Sequence, residues 1–142
     1  MTSVDAINEA RGLAVLLHRA AALAREDFAR AAERFGIAPP AARVLLLLDD
    51  PMPMRKIADR LLVDASYVTG VADQLEEAGL ATRGVGEDRR VKLLSATESG
   101  ADVRERLAVA ISADFTALHA LDDAERAQLA TLLERLVESG AR

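Results

Sequence analysis

The stretch Gly84-Val85-Gly86-Glu87-Asp88-Arg89-Arg90-Val91-Lys92 puts three cations close together, at the tip of what its flanks predict to be a short two-stranded ribbon. Guanidinium groups held out on a turn suit a narrow electronegative channel. The minor groove of A·T-rich duplex DNA is one, because its width concentrates negative potential. Glu87 and Asp88 lower the local charge. A neighbouring carboxylate can instead hold one arginine in position and leave the other for a ligand. Asp88 is one candidate brace and Asp73, upstream, is a second. Taken alone, an Asp-Arg-Arg run on a turn is solvated surface; the residues before it change that.

A helix from Asp64 to about Ala78 precedes the ribbon, with Asp64 a suitable side-chain N-cap. Val68, Val71, Ala72 and Leu75 recur at helical spacing and define its inward face. The outward face then presents Ala65, Ser66, Tyr67, Thr69, Gly70 and Gln74, with little charge where Lys and Glu are usual. Short polar groups match base edges in a major groove, small ones sit beside thymine methyls, and first-turn amides point toward phosphate. A simple clustering of Ser, Thr and Tyr near a helix start is the competing explanation. Gly70 is unusual, since a mid-helix glycine costs about 1 kcal/mol relative to alanine. Close approach to DNA and tight packing on the preceding helix both account for it.

These residues need a scaffold. Apolar positions from Val4 to Phe35 recur at three- and four-residue steps and predict one long helix. At 1.5 Å per residue it spans roughly 45 Å, more than the roughly 26–30 Å width of a domain this size, so it packs on something beyond its own chain. Gly36 ends it, and Pro39-Pro40 open a second helix that Asp49-Asp50-Pro51 stops. Met54 to Leu61 reads as a short third helix, and Gly79 closes the fourth. Ala81 to Arg83 and Val91 to Ser95 read as strands joined by a turn over 84–88, with either face of the second strand able to point inward. Thr97 caps a helix to about His119, and Asp122 with Glu125 forms a capping box for a last helix that buries Leu129, Leu132, Leu133 and Leu136. Two short helices, a tight turn and a ribbon predict a mainly α fold with a small β-ribbon, a winged helix-turn-helix.

Composition narrows the function. The 142 residues are 51% hydrophobic and 3% aromatic with no cysteine, which removes disulfides, thiolate metal sites and thiol redox sensing. Met1-Thr2-Ser3-Val4-Asp5 lacks a basic lead, and no apolar run approaches the roughly 20 residues of a membrane span, so a cytoplasmic location is expected. The net charge of −5 argues against general polyanion binding, yet residues 54–95 carry seven Lys/Arg and seven Asp/Glu, so any basic face is local. No G-x-S-x-G, phosphate-binding loop, dinucleotide fingerprint or H-x-x-x-H occurs. Ser66, Ser95 and Ser99 have no nearby histidine. An enzyme is not expected, nor a catalytic residue, a metal or a cofactor.

From Ile57 to Gly100 the chain resembles the MarR-type family of winged-helix transcriptional regulators. The resemblance rests on Ile57-Ala58 with Leu61, on Leu75-Glu76 through Gly79-Leu80 to Arg83, on Asp88-Arg89-Arg90, and on Thr97 to Gly100. It implies one domain over 1–142, with a DNA-binding lobe at 39–95 between N- and C-terminal dimerisation helices at 4–35 and 97–138. It further implies a homodimer on pseudo-palindromic double-stranded DNA, most often a repressor. The interface would use Ile7, Leu13, Leu16, Leu17, Leu129, Leu132, Leu133 and Leu136. Arg89, Arg90 and Lys92 become wing contacts, and Asp73 and Asp88 their braces. Small aromatic or phenolic acids are frequent effectors in the family; Arg11, His18 and Arg19 are conceivable anchors, with ordinary surface placement the plainer reading. Ala96 replaces a usual leucine, the turn is short, and Pro53 replaces a usual capping Ser or Thr. The alternative is a winged-helix dimerisation or partner-binding module without DNA binding.

Overall fold

The computed structural model describes residues 2–140. The outermost residues of the expected 1–142 domain lie outside that range. The chain divides into two compact units, residues 28–114 and a second unit that joins residues up to 27 with those from 115 onward.

The unit of residues 28–114 receives the end of α1 (Ser3–Arg34) and continues through α2 (Pro39–Leu46), β1 (Met52–Pro53), α3 (Met54–Leu61), α4 (Ala65–Glu77), β2 (Ala81–Val85), β3 (Lys92–Ala96) and α5 (Glu98–Asp114). Prolines open α2 where its first amides need no helical partner. Val44, Leu45, Leu48, Ile57, Val68, Leu75 and Leu94 are buried in one cluster that joins α2, α3, α4 and the sheet. Each contributes about 1.5–3 kcal/mol by leaving water. A second cluster joins Ala31, Ala32, Ala42 and Leu107. Here Phe28 carries the Arg43 guanidinium at 5.4 Å and Phe35 that of Arg106 at 5.5 Å.

The sheet has three strands in the order β1-β3-β2, all antiparallel, so the expected ribbon carries an extra strand. Met52 pairs with Leu94 and Pro53 with Leu93, which roots the ribbon beside the start of α3. Leu94 is buried and Ala96 half-buried, so this face of β3 points inward. β2 extends to Val85, so Gly84 belongs to the strand; the turn is closed further out by Gly86 N–H to Val91 O and Val91 N–H to Asp88 O, both at 2.9 Å.

Two glycines make opposite demands. Gly79 ends α4 at φ +72°, and the following Leu80 amide returns to the Leu75 carbonyl at 2.9 Å. Gly100 lies where α5 crosses the chain, and a Cβ there would meet the Leu80 carbonyl oxygen at 1.8 Å. Thr97 completes this junction. Its hydroxyl donates to Gly79 O at 2.7 Å and accepts the Gly100 amide at 3.0 Å, the cap expected of it. Pro53 precedes α3 without any side-chain cap bond. Leu62 closes α3 in the left-handed region at φ 55° although it is 87% exposed.

In the other unit α1 begins with a reciprocal cap: Asp5 N–H donates to Thr2 Oγ1 at 3.3 Å and Thr2 N–H to Asp5 Oδ2 at 3.2 Å. Hydrogen bonds from Thr2 hold the Asp5 carboxyl below its ordinary value. The helix expected to reach His119 stops at Asp114, and a 3-10 turn (Thr116–Ala120) follows. Arg126 donates to the carbonyls of Leu118 and Leu121, which supplies backbone partners that the lost helix would have given. α6 (Asp123–Gly140) starts at the expected capping box, with Glu125 N–H to Asp122 Oδ1 at 2.8 Å and Asp122 N–H to Glu125 Oε2 at 2.9 Å. Its leucines are not buried within the chain, contrary to expectation: Leu132, Leu133 and Leu136 are exposed and Leu129 half-buried. Ile7, Leu13, Leu16 and Leu17 of α1 are exposed as well, as are Arg11, His18 and Arg19. Among the described residues no helix is long and apolar enough to cross a membrane.

Candidate nucleic-acid interface

α4 is amphipathic in the sense its spacing predicts. Val68, Val71, Ala72 and Leu75 are buried, while Ala65, Ser66, Tyr67, Thr69, Gly70 and Gln74 are all exposed. The six carry no charge, and exposed Asp73 and Glu77 share their side of the helix. Thr69 Oγ1 donates back to the Ala65 carbonyl at 3.1 Å. A Cβ built on Gly70 meets nothing within 4 Å, so packing on a neighbouring helix does not explain that glycine.

Asp64 corrects one expectation. It has the extended backbone of an N-cap, and its carbonyl accepts from Tyr67 at 3.1 Å and Val68 at 3.3 Å, but its carboxylate makes no capping bond. A main-chain carbonyl closes the first turn, so the side chain is not drawn back over it.

The wing corrects another. Asp88 is a brace for the tip, accepting from the Arg90 amide at 3.0 Å and from Arg90 Nε at 3.3 Å. Asp73 is not. It pairs with Arg83, whose Nε lies 3.6 Å from Glu76 Oε1 and whose amide donates to the same oxygen at 3.0 Å. The reason is placement: Arg83 lies at mid-strand directly over α4, whereas Arg89 and Arg90 lie past the end of the β2–β3 pairing. Arg90 is held through its Nε edge with its side chain 91% exposed, so its terminal nitrogens remain available. Arg89 and Lys92 are exposed and, among the described residues, have no polar partner.

Charge pairing across residues 28–114 then separates the cations. Arg34 pairs with Asp114, Arg83 with Asp73, Arg104 with Asp49 and Arg106 with Asp102, while Arg43 stacks on Phe28 and Arg30 is also engaged. Among the described residues of this unit, Arg55, Lys56 and Arg60 on α3 and Arg89 and Lys92 on the wing are left without a partner. The three on α3 were not singled out by sequence reading. Their signal was an i, i+4 pair, Lys56 and Arg60, on a helix whose buried positions are Ile57 and Ala58. The helix that carries this exposed face packs against both α3 and β2, the elements on or beside which the free cations lie, an arrangement suited to base contact from the helix and phosphate contact from its neighbours.

Known proteins share both sequence and fold with this chain. The model of the MarR family matches residues 37–92. An organic hydroperoxide resistance transcriptional regulator of Bacillus subtilis (strain 168) is 31% identical over 110 residues, spanning 75% of this chain and 74% of the relative. Among solved structures, a MarR family transcriptional regulator from Rhodococcus sp. RHA1 superposes with a TM-score of 0.81 at 25% identity, covering 89% of this chain and 93% of that one. CouR from Rhodococcus jostii RHA1, bound to p-coumaroyl-CoA, gives 0.79 at 25% identity, covering 87% and 90%.

Proposed function

We propose that this chain, which belongs to the MarR family of winged-helix transcriptional regulators, acts as a homodimeric repressor on a pseudo-palindromic operator. The observation that carries this reading is the charge separation around α4. Every cation without a partner among the described residues of 28–114 lies on α3 or the wing, the neighbours of a helix whose exposed face carries Ala, Ser, Tyr, Thr, Gly and Gln. In this reading α4 enters the major groove and the wing tip the adjacent minor groove. Arg90, aimed by Asp88, is the tip residue that goes in. Dimerisation is supported by the solvent-facing Ile7, Leu13, Leu16 and Leu17 of α1 and Leu132, Leu133 and Leu136 of α6, apolar surface that a lone chain gains nothing by exposing. Two copies would set their recognition helices about 34–36 Å apart, one turn of duplex.

An effector would act by binding the DNA-competent and incompetent spacings of the dimer unequally. The p-coumaroyl-CoA bound to CouR, a phenolic acyl group on a large carrier, supports an aromatic or phenolic ligand class. With no cysteine in the sequence, the effector response does not run through a thiol.

The test is selection from random duplex DNA by the purified protein, followed by titration of the enriched sequence with Arg89→Ala/Arg90→Ala. Affinity should fall by tenfold or more, with the loss greatest on sites whose flanks are A·T-rich. Enrichment of no sequence, or an unchanged affinity in the double variant, would favour a partner-binding module in place of a regulator that grips DNA.

A further inference from the structure

Base edges in a major groove differ in what they offer. Guanine shows two acceptors, N7 and O6, and thymine the O4 acceptor with a methyl. Adenine sets its N7 acceptor beside the N6 amino group, while cytosine shows the N4 amino group alone. A protein surface of donors therefore suits guanine, and a surface of acceptors suits cytosine.

The exposed side of α4 is poor in donors. The helix has no Lys or Arg at any position, so the commonest partner of guanine is missing from it. Thr69 Oγ1 donates its proton to the Ala65 carbonyl at 3.1 Å, so the hydroxyl keeps only lone pairs for any other partner. Ala65 and Gly70 have no polar side-chain group. Ser66, Tyr67 and Gln74 can donate, each as a neutral group.

The carboxylates of the helix differ in what holds them. Asp73 and Glu76 are paired with Arg83. Glu77 is the last residue of α4, at the end away from the first turn. Asp64 stands at the start, where a recognition helix meets base edges. Its carboxylate is exposed, makes no capping bond and has no polar partner among the described residues. Capping is the ordinary use of aspartate at this position, and here the main-chain carbonyl closes the turn instead. Beside a duplex a free carboxylate is repelled by phosphate unless a donor answers it. In the major groove only the amino groups of cytosine and adenine can do so. Adenine places a repelling acceptor next to its amino group, and cytosine does not.

We propose that Asp64 is a specificity-determining residue that accepts from the N4 amino group of one cytosine in each half-site. Guanine and thymine are rejected at that position because acceptor would face acceptor. The inference rests on the DNA-binding reading above and adds which base pair the start of α4 selects.

Selection from random duplex DNA by the wild type, Asp64→Ala and Asp64→Asn tests it. Neither substitution breaks a side-chain bond, so both variants should fold. The wild-type site should carry a C·G pair at one position of each half-site, and T·A in its place should weaken binding by roughly fivefold or more per half-site. Asp64→Ala should lose the preference at that position alone. Asp64→Asn should move it to A·T, since an asparagine amide matches adenine N6 and N7 together. Identical base preferences in the wild type and Asp64→Ala would overturn the proposal. So would a preference lost at an A·T pair, or an Asp64→Ala protein that binds every duplex more tightly by the same factor. Should Asp64→Ala not fold, the switch in Asp64→Asn decides alone. In each of these cases a selected site still weakened by Arg89→Ala/Arg90→Ala keeps the regulator reading intact. A wild-type protein that enriched no duplex would remove both.

Discussion

Gly70→Ala should make the protein more stable and a worse DNA binder at once. The glycine sits in mid-helix in α4, on the exposed face, and beyond its own turn of helix the new methyl would meet nothing within 4 Å among the described residues. The fold therefore gains the full helix-propensity difference, about 1 kcal/mol, which raises the unfolding midpoint of a domain this size by roughly 2–4 °C. With α4 in the major groove as proposed, the same methyl would stand where a base edge or backbone would come into contact. Overfilling a packed interface by one methyl costs about 1–3 kcal/mol, or roughly 5- to 150-fold in affinity for each recognition helix. Calorimetry or urea unfolding reads the first quantity, and anisotropy titration with labelled operator reads the second. A contact in the groove floor also predicts that unrelated duplex, held through phosphates, loses much less. A stabilised variant with unchanged operator affinity would refute the claim that Gly70 is kept for DNA approach. A destabilised variant would refute the claim that the space beside it is open.

Gly100→Ala should do the reverse, because its methyl would collide with the Leu80 carbonyl at 1.8 Å; a loss of at least 2–3 kcal/mol by urea unfolding is expected for a contact with rigid backbone. Leu62→Gly keeps the left-handed backbone and removes the side chain, 87% exposed, that makes it costly, and the unfolding free energy should stay level or rise by up to about 1 kcal/mol as the strain of roughly 1–2 kcal/mol is offset by the entropy of glycine. Leu16→Glu with Leu133→Glu should shift sedimentation from dimer to monomer and carry operator affinity down with it, whereas a dimer of wild-type strength would remove these helices from the interface.

The exposed face of α4 was legible because the helical period is a local property. Val68, Val71, Ala72 and Leu75 define a stripe, and fixing the buried stripe fixes the exposed one, so the outward residues of α4 followed without any tertiary information. The same holds for the Asp122–Glu125 box and for Thr97, where donor and acceptor lie within three residues. What escaped depends on distance along the chain. β1 has two residues, one a proline, and becomes a strand only by lying against Leu93 and Leu94. The break at Phe115 interrupts a periodicity that runs on past it, and distant Arg126, reaching back to the carbonyls of Leu118 and Leu121, gives the interrupted backbone polar partners. Asp73 was read as a brace for the wing tip; its charge is taken at mid-strand instead, ten residues away, by Arg83.

That exchange also resolves how an acidic chain presents a surface for DNA. At physiological salt a charge is felt over about 8 Å, so a duplex responds to what lies against it and not to a total of −5. Asp73 and Glu76 stand on the recognition helix and would repel phosphate if left alone, yet both are answered by Arg83 of β2. Asp88, at the wing tip, is answered by Arg90 through one edge only, which leaves the outer nitrogens free. Asp73, Glu76 and Asp88 thus serve as fittings that hold arginines in place, whereas the exposed carboxylates of Asp64, Glu77 and Glu87 hold none among the described residues. On this account neutralising Asp73 or Asp88 would not strengthen binding as a simple charge count demands. It would loosen the guanidinium it holds, and the attraction gained would be lost in geometry.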